Sequence, residues 1–389
     1  MGKNRKIYLL RHARVEIDEP RCIGITDIPL SDEGKRQAKK IAEWIERLGV
    51  RGIYSSPLRR CMETAEIITE RLELEKSEIQ IRRDLHEVDA GKWENRKFSE
   101  LKKSREYEER GKNIGYYILP GGESFAQGGE RFGKCLTEIR KETDEVRGDI
   151  LVVAHAGVIR AYLCQLLGKS INEVFEISQP YVGITILEEK EDKTLLVKEI
   201  GFLPSSYMDQ KEIKRIYGLC QTPENVIQHM TAVAAYMERI RKKIEAFVVQ
   251  DISEEHPWYL QEENWKTLKK AALLHDIART RAHHAKEGAD ILEREGYKEL
   301  ADLVRYHNAV GKSAGDSEKN SQKIPSMTDV LFYADKRVKD TRIVSVDERF
   351  EASYEKCKSK EAKEKHHRLY LKTMEIERQL EELTGGKLL

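Results

Sequence analysis

Arg11 and His12 follow directly on the apolar run Ile7–Leu10, and His155 follows directly on "ILVVA", residues 150–154. These side chains suit a phosphate. A phosphomonoester carries about two negative charges, so its site needs fixed cations that keep their protons, which the arginine guanidinium supplies in a bidentate fork. A neutral imidazole nitrogen can attack phosphorus and form a covalent intermediate, dividing one hard step into two. A second constellation begins at His275–Asp276 in "AALLHDIART". Adjacent imidazole and carboxylate make a hard N/O metal site rather than a thiolate one. Further ligand candidates stand at His229, His284, His307 and Asp335. Taken alone, an Arg–His pair is most often surface decoration, and a histidine in an apolar stripe is most often hydrogen-bonded in a core. Number and order raise both sets above that.

Elements must position these groups. Ile7–Leu10, Ile53–Ser55 and Ile150–Ala154 are short and rich in strand formers. Ser31 can cap a helix carrying Ala38, Ile41, Ala42, Ile45 and Leu48, which Gly49 can end, and a second helix is predicted over 58–72. Alternation of this kind implies an α/β layer fold with a mostly parallel sheet, in which ligands sit beyond the carboxyl ends of the strands. Arg11, His12 and His155 can therefore converge.

After residue 205 the pattern changes. Residues 206–221 lack strand periodicity and read as a linker, and Thr222–Pro223 opens a helix whose apolar stripe contains His229. Almost everything beyond is predicted helical, ending in a long charged helix over 353–383. The expected organisation is an α/β domain over 1–205, a linker over 206–221 and an all-α domain over 222–389.

Lys and Arg number 69 and Asp and Glu 68 in 389 residues, a net charge of +1 that argues against binding a nucleic-acid polymer or a membrane surface. Six scattered cysteines without a C-x-x-C pair, and no secretory signal, predict a cytoplasmic protein with reduced thiols. Oligomeric state is left open, since the charged C-terminal helix could cover its own domain or form a dimer.

"LLRHA", "GITDIPLSDEGKRQA", "SSPLRRCMETA", "LHEVDAGKWEN", "PGGES" and "VVAHAGVIR" occur in that order. Over residues 6–200 the series resembles the histidine phosphatase superfamily, which includes phosphoglycerate mutases and the alpha-ribazole phosphatase branch. The resemblance implies that His12 is the nucleophile and that Arg11, Arg60 and His155 bind the phosphoryl oxygens. Family spacing selects Arg60 over Arg59. Glu87 matches the acid that protonates the leaving oxygen and then assists water. No cofactor is implied for this half. Ala13 stands where the family usually has glycine, "HAG" replaces the commoner "HGG", and the family's asparagine after the first motif is missing. The alternative is a phosphoglycerate mutase-type enzyme with a regulatory, metal- or nucleotide-binding second half.

"NVIQHMTAV", "AALLHDIART", "HHAKEGADIL", "LVRYHNAVG" and "LFYADKRVKD" give the order H…HD…H…H…D. Over about 220–345 this resembles the HD-domain metal-dependent phosphohydrolases. The resemblance assigns His229, His275, Asp276 and Asp335 to a core metal position and His284 and His307 to a second, bridged by Asp276. His284 is chosen over His283 because it stands four residues before Gly288. Arg279 would reach a substrate phosphate. Two divalent ions are expected, with a single ion the alternative, drawn from Fe, Mn, Ni, Co or Zn. "HDIA" and a lone "YHN" point away from cyclic-di-GMP cleavage and towards small HD hydrolases of nucleotides, including the type that cleaves diadenosine tetraphosphate. The substrates expected for the whole chain are small phosphorylated metabolites, nucleotides among them. His256, His366 and His367 read as loop or solvated helix.

Overall fold

Ile7–Leu10 and Ile150–Ala154 are buried on both faces, which is why they read as unbroken apolar runs. They lie in β1 (Arg5–Arg11) and β4 (Ile150–Ala154), adjacent parallel strands with Arg11 paired to Ala154. With β2 (Gly52–Ser55), β3 (Ile79–Ile81), β5 (Ile184–Glu189) and β6 (Leu195–Phe202) they form one sheet in the order β3-β2-β4-β1-β5-β6. β5 and β6 run antiparallel and the other four are parallel. In this computed structural model the described residues are 5–143, 148–247, 257–307, 324–355 and 357–388. The chain divides into two units, Met1–Leu203 and Pro204–Leu389.

The helices of the first unit are α1 (Asp32–Ile45), α2 (Arg59–Arg71), α3 (Phe98–Leu101), α4 (Arg105–Lys112), α5 (Phe125–Glu142) and α6 (Ala156–Leu166). Ser31 caps α1 by accepting from the Gly34 N–H, and a short 3-10 turn then closes at Gly49 with φ +65°. α2 begins one residue after the sequence reading placed it and ends one before. Residues 98–118, which give no clear pattern in sequence, form α3, α4 and a loop.

In the second unit, α7 (Gln210–Cys220), α8 (Glu224–Phe247), α9 (Glu262–Ala272), α10 (His284–Arg294), α11 (Lys298–Tyr306), α12 (Met327–Arg337), α13 (Val346–Tyr354) and α14 (Lys360–Thr384) accompany a small hairpin, β7 (Val338–Lys339) and β8 (Arg342–Ile343). Two expectations change. Most of the predicted linker 206–221 is α7, because Ile213, Ile216 and Cys220 recur at helical spacing and bury one face. The predicted single tail helix is two helices: α13 stops at Tyr354, and Ser359 caps a fresh start. α14 covers its own unit with Thr373, Ile376 and Leu380 buried. His366 is not on a solvated face, since it bonds Ser353 at 2.8 Å and packs edge-on against Phe350 and Tyr354. His367 is exposed, and His256 lies outside the described residues. Among the described residues, no helix is long and apolar enough to cross a membrane.

Candidate functional site

The parallel β1–β4 pairing decides the first site. Because Arg11 and Ala154 share a register position, the next residues, His12 and His155, leave the sheet side by side, and the His12 N–H donates to the Ala154 carbonyl at 3.0 Å. Their rings stand 5.1 Å apart. His12 Nδ1 is 2.8 Å from the Ala13 carbonyl oxygen. A carbonyl only accepts, so Nδ1 carries the proton and Nε2 keeps its lone pair. Burial, with the Arg60 and Arg11 guanidiniums beside it, holds His12 well below the usual imidazole range. His12 is a neutral imidazole with one basic nitrogen to offer.

Arg60, at the start of α2, is fully buried. It donates to the Gly24 carbonyl at 2.6 Å, the Thr26 carbonyl at 2.8 Å and His155 Nδ1 at 3.2 Å. The 24–26 loop is itself held by Glu94, which accepts from the N–H groups of Gly24, Ile25 and Thr26. Arg59 points away, exposed and paired with Glu63 at 2.6 Å. Arg11 donates to the Gln179 carbonyl at 2.9 Å and stacks on the Tyr181 ring at 3.8 Å. Arg11, His12, Arg60 and Glu87 line one cavity of about 330 Å³.

His155 departs from its expected place as a direct phosphate ligand. It is fully buried, and its two ring nitrogens are engaged by Arg60 and by Ser56 Oγ at 2.7 Å. In this arrangement it braces Arg60, because it sits behind the guanidinium. Burial and Arg60 push it, too, well below the ordinary imidazole value. Neither Ala13 nor Ala156 lines the cavity, so neither methyl group crowds it.

Glu87 sits on the N-terminus of α6. It accepts from the Gly157 N–H at 2.9 Å, the Val158 N–H at 3.0 Å and the Val88 N–H at 2.9 Å. A Cβ at Gly157 would lie 2.5 Å from Glu87 Oε1. Gly157→Ala is therefore expected to displace the carboxylate and lower kcat for monoester hydrolysis by about 10²-fold, with KM moving far less. Steady-state kinetics on the variant checks this.

The sequence reading assigned no role to Ser56, Tyr181 or Glu94. Ser56 and Glu94 fall inside the recognised motifs, where attention to every polar residue could have found them. Tyr181 carries no local signal.

The second site assembles all six expected ligands. His275 and Asp276 lie in the turns just beyond α9, His284 opens α10, His307 ends α11, Asp335 is in α12 and His229 is in α8. Asp335 Oδ1 is 3.1 Å from His229 Nε2 and 3.5 Å from His275 Nε2. Asp276 Oδ1 is 3.3 Å from His284 Nε2 and 3.9 Å from His307 Nε2. His229, His275 and His307 each place Nδ1 on a main-chain carbonyl, of Asp340, Ala272 and Val304, at 2.9, 2.8 and 2.6 Å. Three Nδ1 protons are thereby fixed outward and three Nε2 lone pairs turned inward, the usual outer support of a metal ligand. Burial, reinforced by His275, lowers His307 to about 3.

Donor atoms of His229, His275 and Asp276 fall within 4.8 Å of one another, and so do those of Asp276, His284 and His307. Asp276 belongs to both groups. His275 Nε2 and Asp276 Oδ1 are buried without a hydrogen-bond partner among the described residues. Orphaned N and O donors facing one another fit a divalent cation. His283 is exposed and left-handed at φ +54°, which leaves His284 as the inward histidine. Arg279, half exposed, reaches Asp276 Oδ2 at 3.4 Å and His284 Nε2 at 3.1 Å. Lys336 pairs with Asp335 Oδ2 at 2.6 Å. Arg279, Lys336 and Arg349 line a cavity of about 420 Å³ beside the cluster.

Residues 7–199 match the family model of the histidine phosphatase superfamily (branch 1), and residues 226–375 match that of the HD domain. Phosphoserine phosphatase 1 of Hydrogenobacter thermophilus is 30% identical over 200 residues, covering 50% of this chain and 90% of that protein. Phosphoglycerate mutase-like protein 4 of Arabidopsis thaliana is 30% identical over 214 residues, covering 52% of this chain and 91% of that protein. A mycobacterial glucosyl-3-phosphoglycerate phosphatase structure, 22% identical, covers 51% of this chain and 99% of its own with a TM-score of 0.46.

Proposed function

Since the chain belongs to the histidine phosphatase superfamily through its first half and carries an HD domain in its second, we propose that it is a bifunctional phosphohydrolase. The two activities are assigned to domains at 1–205 and 222–389. The observation that carries the first is His12: neutral, with Nδ1 committed to a carbonyl and Nε2 open beside Arg11 and Arg60.

In the first domain, His12 Nε2 attacks phosphorus and the ester P–O bond breaks. Glu87 gives a proton to the leaving oxygen, so an alcohol departs and phosphohistidine remains. Water then attacks the phosphohistidine, Glu87 recovers a proton from it, and inorganic phosphate leaves with His12 restored. Arg11 and Arg60 hold the phosphoryl oxygens through both steps. His155 keeps Arg60 in place. The substrate class is a small phosphorylated metabolite, the class that phosphoserine phosphatase 1 acts on by its name.

In the second domain, His229, His275, Asp276 and Asp335 would hold one divalent cation, and Asp276, His284 and His307 a second. Such ions polarise phosphoryl oxygens and neutralise the charge that develops on them. Fe, Mn, Ni, Co and Zn all suit these donors. Arg279 and Lys336 would bind the phosphates of a nucleotide-like phosphoester or phosphoanhydride.

Phosphate release from a panel of monoesters, nucleotides and dinucleotides, with and without EDTA, tests both readings. Monoester hydrolysis should survive EDTA, while nucleotide cleavage should vanish and return with a divalent metal. EDTA-sensitive monoester release would sink the first reading, and metal-independent nucleotide cleavage the second.

The pH profile follows from burial. His12 stays neutral down to well below its ordinary value of 6.5, so kcat/KM should show no acid limb near pH 6.5 from this group. The stability sign is opposite in consequence. Below about pH 6.5 an unfolded chain takes up protons that the folded His12 and His155 refuse, so stability falls as pH falls through that value. Thermal melts of the full chain between pH 7.5 and 5.5 should show a steady decrease.

A further inference from the structure

Beside Arg11 the chain builds a turn that its own residues do not favour. Residues 180–183 read "PYVG", and the Gly183 N–H donates to the Pro180 carbonyl at 3.0 Å. Val182, third in this turn, has φ +52°, the sign a type II turn demands there and glycine or asparagine usually supplies. For a β-branched residue the left-handed region is strained, and such strain persists only where the surroundings fix it. Here they do. Gln179, fully buried, donates to the Gly183 carbonyl at 2.7 Å and accepts from Thr185 Oγ1 at 2.9 Å. Thr185 Oγ1 in turn accepts from the Gly201 N–H at 3.2 Å, and the Val182 side chain is itself fully buried.

What this turn grips is Arg11. The Arg11 N–H donates to the Gly183 carbonyl at 3.1 Å, and the guanidinium donates to the Gln179 carbonyl at 2.9 Å. The guanidinium carbon stands 3.8 Å from the centre of the Tyr181 ring, too close for the plane to tilt far. The same ring meets His12 edge-on with 5.7 Å between centroids, and all three side chains line the cavity. An unrestrained arginine loses rotamer freedom when it grips an anion, and one already fixed does not. A covered face also leaves the N–H edge as the part that meets a phosphoryl oxygen.

The geometry points to Tyr181 as a positioning residue of the phosphate site: its ring, aimed by the strained turn, fixes Arg11 for the phosphoryl group. The anion that Arg11 grips is taken from the His12 phosphatase reading, whereas the hold of the ring on Arg11 is independent of it.

The test uses the full chain in EDTA, which silences metal-dependent chemistry in the second domain. Affinity for inorganic phosphate is measured by calorimetry, and kcat/KM with p-nitrophenyl phosphate. Tyr181→Leu removes the ring and should weaken both by about tenfold, the scale of a partly buried cation–π contact. Tyr181→Phe and Tyr181→Trp keep a ring over the guanidinium and should lose about threefold or less. The decisive comparison is made in an Arg11→Met background. There, adding Tyr181→Leu should change neither quantity by more than about twofold, because the ring has nothing left to hold. A ring that only supported the fold would act equally with or without Arg11. Parental values in a folded Tyr181→Leu protein, equal losses in the Phe and Leu variants, or additive losses with Arg11→Met would each overturn the proposal. Should Tyr181→Leu fail to fold, Tyr181→Gln, also without a ring, is read in its place. No phosphate release from any of these proteins, alongside a phosphate affinity that falls with the ring and is kept by Tyr181→Phe, would overturn the phosphatase reading and leave the role of Tyr181 standing.

Discussion

Replacing His12 with alanine lowers EDTA-resistant phosphate release from monoesters by about 10⁴-fold or more, because no other histidine lines the cavity and the Cys22 thiol that does is pushed up to about 11 by burial and so stays protonated. His155, the neighbouring imidazole, accepts from Arg60 at Nδ1 and contacts Ser56 Oγ through Nε2, so it cannot offer its lone pair to phosphorus without releasing Arg60. Arg11 and Arg60 are cations and cannot attack at all. Brief incubation of the parent chain with a phosphorylated substrate and quenching in alkali should trap an acid-labile, alkali-stable phosphoryl group on His12. The variant should trap none. Metal-dependent nucleotide cleavage should persist in it, since the second site shares no residue with the first. Substantial monoester release by the variant in EDTA would assign the hydrolysis elsewhere.

Asp276→Ala removes the one side chain that belongs to both ligand groups of the second site. Metal-dependent hydrolysis should fall by about 10³-fold or more. The more telling readout is the metal itself. After dialysis against manganese and removal of free ion, the parent should retain up to two ions per chain, one for each ligand group, and the variant close to none. Binding to the folded state alone adds about 2.7 kcal/mol of stability when free ligand is 100 times Kd, so manganese should raise the parent's Tm visibly and the variant's little. In EDTA the variant should melt no lower than the parent. Asp276 is almost fully buried, its Oδ1 has no hydrogen-bond partner among the described residues, and without metal its charge is met by a half-exposed Arg279 at 3.4 Å, a pair that returns less than burying the carboxylate costs. A variant that still loads metal and gains Tm from it would transfer the site to Asp335 and the histidines alone.

The two constellations were legible in sequence to different depths. Arg11, His12 and Glu87 were expected from the family resemblance of the ordered motifs, and the six N/O ligands from the order H…HD…H…H…D; the structure brings each group together in space. The α/β character followed from buried strands alternating with amphipathic helices, a pattern written locally. α7 was missed because three apolar residues at helical spacing among charges give a weak stripe, and the break before α14 because nothing but a capping serine marks it.

Sequence by itself determined the reactive groups, the two-part order of the chain and the main elements, since these depend on side-chain chemistry and on contacts a few residues apart. Tertiary structure alone decided orientation: that His229 turns Nδ1 to the Asp340 carbonyl, that His155 braces Arg60, and that Glu87 rests on the α6 amides. Each of these depends on a partner 70 to 111 residues away. No local pattern encodes a hydrogen bond of that span.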